Sequence, residues 1–284
     1  MPEGRALVLG GGGVAGIAWM TGVLAGLAEA GQDVTGADVI VGTSAGAAVA
    51  AQVGSGLSLD ALFARQVDPG LQAREISAEL DMEKVAAEFT ELLTGVTSAE
   101  DAQRRVGAYA LAARTVPEAE RLAAVGSRLP SPDWPARRIL LVAVDAETGE
   151  MRVFDRQSGV SLVDAVAASC AVPGIWPPVS TGGRRYVDGG VRSSDNADLA
   201  AGSAEIVVLS PMGLNSPFPS PMPLRDVVSR LRSEGSAVTV IAPDAASAAA
   251  MGANPLDPAT RVPAAQAGRA QGRAGLPGVP SVPA

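Results

Sequence analysis

The sequence predicts an α/β protein with a mostly parallel sheet, on three observations. Short apolar runs ending in glycine alternate with helix-spaced apolar residues through the first 55 positions. A G-x-S-x-G pentapeptide, Gly42-Thr43-Ser44-Ala45-Gly46, joins the second such run to its helix. A charged segment then intervenes before apolar runs resume at Arg138.

The first strand is read at Arg5–Leu9, followed by Gly10 to Gly13 and a helix whose apolar residues are Ile17, Met20, Val23, Leu24 and Leu27. Residues 6–28 carry no charge, which imitates a secretory leader or a membrane span. The interior glycines at 16, 22 and 26 argue against both, since each costs a helix about 1 kcal/mol relative to alanine. The expectation is therefore a cytoplasmic protein, in contact with a membrane surface at most peripherally. Asp38–Gly42 is the second strand, and a small-residue helix runs from Ala45 to about Gln52. Between Asp60 and Arg128 twenty residues are charged, more densely than elsewhere, so 60–130 reads as an inserted helical cap or lid. Strands follow at Arg138–Val144, Met151–Phe154, Arg185–Val187, Ile206–Leu209 and Ala237–Ile241. Helices are expected at 162–170 and 224–231, with a short one at 245–250. The Ala/Gly/Pro-rich segment 264–284 reads as a disordered tail.

Composition narrows the chemistry before any motif is considered. A net charge of −8 opposes general nucleic-acid binding. One cysteine excludes an intrachain disulfide, and Cys170 reads as a small buried residue. There is no histidine, so a Ser-His-Asp triad, a Cys-His pair and a histidine metal site are all excluded within the chain.

The pentapeptide has the strand-to-helix context that a nucleophile elbow needs. Small flanking residues let the chain bend sharply so that the Ser44 hydroxyl projects from the sheet. The loop Gly10–Gly16 contains G-x-G-x-x-G, but a dinucleotide site needs an acid ending the second strand, and that strand ends in the serine elbow. An oxyanion loop, with backbone N–H groups aimed at a developing negative charge, is the better reading. A serine needs a base to take its proton. The single lysine, Lys84, lies in the charged segment outside any Ser-x-x-Lys pattern, which leaves a carboxylate. Asp188, at the end of a strand before Gly189-Gly190, is one candidate beside Asp145, Asp164, Asp195 and Asp198.

Taken together, the glycine loop, the elbow and Asp188-Gly189-Gly190 resemble the patatin-like phospholipase family. Ser169–Pro178 and Asn196-Ala197-Asp198 resemble the stretches flanking its aspartate. The resemblance spans roughly residues 5–210 and is silent on the inserted segment. It implies a three-layer α/β/α fold with a Rossmann-like core, forming one acyl hydrolase domain over 5–245. It also implies a lipid or fatty acyl ester substrate and no metal or cofactor. Ser44 would be the nucleophile, Asp188 its base, and Gly11, Gly12 and Gly13 the oxyanion hole. The family loop usually carries Arg or Lys before its last glycine, where this chain has Ala15. Arg184, Arg185 and Arg192 flank the aspartate and are candidates to restore that charge. The alternatives are a non-catalytic lipid-binding scaffold of the same fold, and an acyltransferase sharing the covalent step.

Overall fold

In the computed structural model, residues 1–76, 82–214 and 222–276 are described, with the backbone alone for 82–86. Eight strands form one sheet: β1 (Arg5–Leu9), β2 (Val39–Thr43), β3 (Arg138–Asp145), β4 (Met151–Phe154), β5 (Val179–Thr181), β6 (Arg184–Asp188), β7 (Glu205–Leu209) and β8 (Ala237–Ile241). Hydrogen-bonded neighbours follow the path β5-β6-β3-β2-β1-β7-β8, with β4 also paired to β3. The central five run parallel, and β4, β5 and β6 join by antiparallel pairing.

Alternation along the strands divides the core into two layers. Leu7, Leu9, Ile40, Ile139 and Leu141 face one side, and Ala6, Val8, Val41, Leu140 and Val142 the other. The first side is covered by α1 (Gly13–Glu29), α2 (Ala45–Gly54), α7 (Leu162–Ser169) and α10 (Arg261–Arg273). The second is covered by α8 (Leu224–Ser233) and a 3-10 turn at Ala197–Ala200. This is the expected three-layer arrangement. Between α2 and β3 come α3 (Leu59–Val67), α4 (Met82–Leu92), α5 (Ala99–Ala112) and α6 (Glu118–Arg128), the predicted insertion. A short α9 (Ala245–Met251) precedes α10.

The uncharged stretch at the start of the chain is α1. Every residue from Val14 to Leu27 is buried, because α1 lies against α10, α3 and α2 as well as the sheet. That explains an apolar character all round the helix without any membrane. Among the described residues no helix is long and apolar enough to cross a bilayer.

One expectation is overturned. Residues 264–273, read as part of a disordered tail, belong to α10, and Ala264 and Ala265 are fully buried. The composition misleads because small residues serve here for close helix contact. A Cβ on Gly22 or Gly26 would lie 2.2 or 2.3 Å from the carbonyl oxygens of Ala265 and Arg269. On Gly268 and Gly272 it would lie 2.3 Å from those of Trp19 and Val23. The two helices therefore touch backbone to backbone. Arg269 and Arg273 pair with Glu29 at the end of α1, fixing the register. Residues 277–284 of the expected tail lie outside the described residues. The strand β5 was also not foreseen: three residues between Pro177-Pro178 and Gly182-Gly183 carry too little pattern to read.

Candidate active site

The sheet register brings the elbow and the aspartate together. β2 pairs with β3 up to Thr43 opposite Val142, and β6 pairs with β3 starting at Asp188 opposite Ala143. β4 occupies the other side of the same stretch of β3, so β2 and β6 must lie end to end along one side. Their C-terminal ends meet. Ser44 follows Thr43 directly, and Asp188 is the last residue of β6.

The backbone at Ser44 is strained. Ser44 has φ 53° and ψ −116°, a conformation that non-glycine residues rarely adopt. Gly46 is indispensable to the turn, since a Cβ there would lie 1.9 Å from the Leu9 carbonyl oxygen, while its N–H donates to the Gly10 carbonyl at 3.0 Å. The turn is held from several directions. Ser44 N–H donates to Ser169 Oγ at 3.0 Å, and that hydroxyl donates to the Val142 carbonyl at 2.6 Å. Cys170 Sγ contacts the Ser44 carbonyl at 3.0 Å. Asn196, itself in the left-handed region, donates through Nδ2 to Thr43 Oγ1 at 3.0 Å and to the Gly189 carbonyl at 3.3 Å, tying the ends of β2 and β6.

Asp188 is 5% exposed. Its Oδ1 accepts from the Gly190 N–H at 2.7 Å, and its backbone N–H donates to the Ala171 carbonyl at 3.0 Å. Burial pushes its carboxyl up to about 6, against the pull of the neighbouring Ser44 hydroxyl, the Gly190 N–H and the Arg121 guanidinium. The Ser44 hydroxyl lies close enough to favour the ionised acid without forming a hydrogen bond to it. Oδ2 is buried with no partner among the described residues. Asp188 thus keeps one acceptor oxygen unsatisfied.

The rival acids are placed elsewhere. Asp145 caps the turn at Glu147-Thr148 and pairs with Arg184 at 2.7 Å. Asp164 sits in the first turn of α7, and Asp198 pairs with Arg192 at 2.7 Å. Asp195 is buried behind Gly10, where a glycine Cβ would lie 2.2 Å from its Oδ1, and desolvation lifts its carboxyl to about 7. The arginines proposed to restore a charge are engaged too: Arg184 with Asp145, Arg185 with Glu147, Arg192 with Asn196 and Asp198. Cys170 is buried as expected, its thiol pushed up to about 12 by desolvation.

In the glycine loop, the Gly11 N–H donates to the Ser194 carbonyl at 2.8 Å. The Gly12 and Gly13 N–H groups have no partner among the described residues, and Gly13 opens α1, where orphan donors are expected. The loop's unengaged donors among the described residues are thus those of Gly12 and Gly13.

Ser44, Asp188 and the loop form the floor of a cavity of about 590 Å³. Its walls are apolar, with Leu93, Val96 and Val106 from the insertion, Val172 and Ile175 after α7, and Leu256. Asp188 is the one charged residue among the described residues that line it. The insertion thus walls the site as well as covering the sheet.

A strained serine, a buried aspartate and a glycine loop thus line one cavity. The patatin-like phospholipase model matches residues 7–201. The chain belongs to the patatin-like phospholipase family. That family comprises lipid acyl hydrolases. A search of curated proteins returned no match. Among solved structures, the chain is similar to VipD from Legionella pneumophila, at 13% identity and a TM-score of 0.47, over 96% of this chain and 66% of that one. It is also similar to the type III effector protein ExoU, at 18% identity and a TM-score of 0.40, over 96% of this chain and 52% of that one. This chain spans about two thirds and about half of their lengths.

Two residues that brace the end of β2 escaped sequence reading, and so did the burial of Arg121. Ser169 and Asn196 lie in stretches that the resemblance marked, but nothing in the sequence says that they brace β2. Arg121, on α6, gave no signal beyond being one charge among many in the insertion.

Proposed function

We propose that this protein is a serine acyl-ester hydrolase for lipid or fatty acyl esters, working through Ser44 and Asp188. The observation that carries the reading is the meeting of a strained serine and a buried, half-satisfied aspartate on the floor of an apolar cavity. The elbow's strain fixes the hydroxyl before substrate arrives, so little reorganisation is needed in the reaction. Asp188 Oδ2 takes the Ser44 proton as the oxygen attacks the ester carbonyl. The oxyanion is stabilised by the Gly12 and Gly13 N–H groups and the N-terminus of α1. The tetrahedral intermediate collapses, the alcohol leaves with the proton, and an acyl-serine remains. Water then attacks it, Asp188 again accepting the proton, and the second tetrahedral intermediate releases the fatty acid as Asp188 returns that proton to Ser44 Oγ.

A free carboxyl near pH 4 is a weak base for an alcohol. Burial brings Asp188 to about 6, nearer the range in which a general base works efficiently. The sign is clear: the ionised form is the active one, so activity falls as pH drops through about 6. An uncharged acyl chain suits the cavity, since no cation among the described lining residues compensates a desolvated phosphate.

The test is steady-state hydrolysis of a p-nitrophenyl ester series and of phospholipids by Ser44→Ala and Asp188→Asn. Both are expected to lose at least about 100-fold in kcat, the usual worth of a positioned base. Asp188→Asn with near-native turnover beside an inactive Ser44→Ala would remove Asp188 from the mechanism.

A further inference from the structure

Part of the catalytic cavity is built by chain beyond residue 201, where the match to the family ends. Of the described lining residues, Met212, Pro255 and Leu256 lie past that point. Pro255 and Leu256 form a tight turn between α9 and α10. Asn254 Oδ1 accepts the Leu256 N–H at 3.0 Å, and the Asn254 carbonyl accepts the Asp257 N–H at 3.1 Å. Side chain and backbone thus both fix the bend. Because α10 packs along α1, the turn is carried back to the start of α1.

There the Pro255 carbonyl accepts the Ala15 N–H at 3.0 Å, satisfying one of the donors that the first turn of a helix leaves free. A Cβ on Gly13 would lie 2.5 Å from the Pro255 oxygen and 2.7 Å from Leu256 Cδ2. The partly buried leucine therefore packs directly on the glycine loop. It lines the cavity of about 590 Å³ and also a second one of about 20 Å³, as do Gly13, Ser44 and Val172. The two cavities differ in character. The large one has apolar walls, whereas Glu75, Arg121 and Arg128 line the small one. Among the described residues, Leu256 and Val172 are the apolar side chains common to both.

We propose that Leu256 is a specificity-determining residue of this site: seated on Gly13 by the turn at 254–257, it closes the apolar cavity against the polar one and forms the wall for the acyl chain next to the ester carbonyl. In a lipid ester the alkyl chain belongs to the acyl group and the alcohol is the polar part, so an apolar wall beside Ser44 serves the acyl side. An alkyl chain gains by leaving water only where its new neighbours are apolar, and charged groups opened to the cavity would bring water with them. This deepens the Ser44–Asp188 reading above and rests on it.

The experiment measures kcat and KM for p-nitrophenyl acetate, butyrate and longer-chain esters in Leu256→Ala, Leu256→Asn and Leu256→Met. Thermal melts and fluorophosphonate labelling of Ser44 accompany it. In Leu256→Ala, kcat/KM for the longer-chain esters is expected to fall at least about tenfold, the lower end of what one methylene is worth in an apolar pocket. The loss is expected in KM, with kcat kept, as for an interaction made equally in the ground and transition states. Acetate, which has no chain to bury, is expected to react as with the wild type, and Ser44 to label at the wild-type rate. Leu256→Asn keeps the branched shape with polar atoms and is expected to show the same selective loss, so it serves as the test if the alanine variant is unstable. Leu256→Met, apolar and of similar volume, is expected to keep the wild-type preference. An unmoved chain-length profile in both Leu256→Ala and Leu256→Asn would overturn the proposal. Equal losses on acetate and on longer esters, with slowed labelling of Ser44, would also overturn it, leaving Leu256 as a support of the glycine loop alone. If Ser44→Ala keeps its activity, the underlying dyad fails instead. An inactive Ser44→Ala beside an unmoved profile in the Leu256 variants removes only the role of Leu256.

Discussion

Two aspartates near the glycine loop are buried, and they face different surroundings. Asp188 has the serine hydroxyl, the Gly190 N–H and a cation within reach of its charge. Asp195 has the Ser210 hydroxyl, and its Oδ1 has no partner among the described residues. Desolvation raises both, Asp195 to about 7. The folded protein therefore holds protons that the unfolded chain, with ordinary carboxyl groups, releases between about pH 4 and pH 7. In that window the unfolded state binds fewer protons, so these groups make the fold less stable as pH rises. Asp195→Asn has the same shape and no charge to bury. It is expected to raise stability by at least about 1 kcal/mol at alkaline pH, with the gain shrinking as pH falls towards 4. Thermal melts at several pH values check this, and a gain independent of pH would contradict it. The rise assigned to Asp195 has a structural counterpart: the residue fills the space that a side chain at position 10 would need.

At the scale of elements, the contact between α1 and α10 sets how α1 lies under the glycine loop. Gly268→Ala puts a Cβ 2.3 Å from a backbone oxygen that no rotamer change can move aside. The helices must separate, at about 1–3 kcal/mol for an overpacked contact. Gly126, inside α6, is the contrasting case, since a Cβ there would find only Val163 atoms 3.6–4.0 Å away. Gly126→Ala is expected to stabilise by about 0.5–1 kcal/mol through the usual preference of helices for alanine. Denaturant unfolding of the two variants gives the comparison, and equal effects would refute the close-contact account of α10. The same pair of helices marks the limit of sequence reading. Glycines in an uncharged run are legible as a reason to doubt a membrane span. Glycines in an Ala-rich segment 240 residues later look like disorder, because the partner that makes them useful is distant in sequence.

For the whole molecule, the elements that carry the strongest periodicity were legible, and so was the sheet's class. Strand order, by contrast, follows from register, and no local pattern says that β2 and β6 abut along β3. The serine and aspartate were nameable because glycines punctuate both. Choosing Asp188 over Asp195 or Asp145 took the family resemblance, since all of them are acids near turns. The hydrogen bond from the Gly11 N–H to Ser194 was not legible, because it depends on a loop 183 positions away. Arg121 was illegible altogether: a buried charge in a charged helix looks the same in sequence as a solvated one. The fold thus assembles its site from four separated stretches of chain, the loop after β1, the elbow after β2, the end of β6, and the insertion.

The central claim is that Ser44 becomes covalently acylated. It is tested most directly by treating the native protein with a fluorophosphonate and mapping the adduct by intact-mass and peptide analysis. The account predicts one adduct, on Ser44, formed in step with loss of esterase activity, slower below about pH 6 and absent from Ser44→Ala. Ester hydrolysis that persists without modification of Ser44, or an adduct on another residue that accompanies the loss of activity, would contradict it.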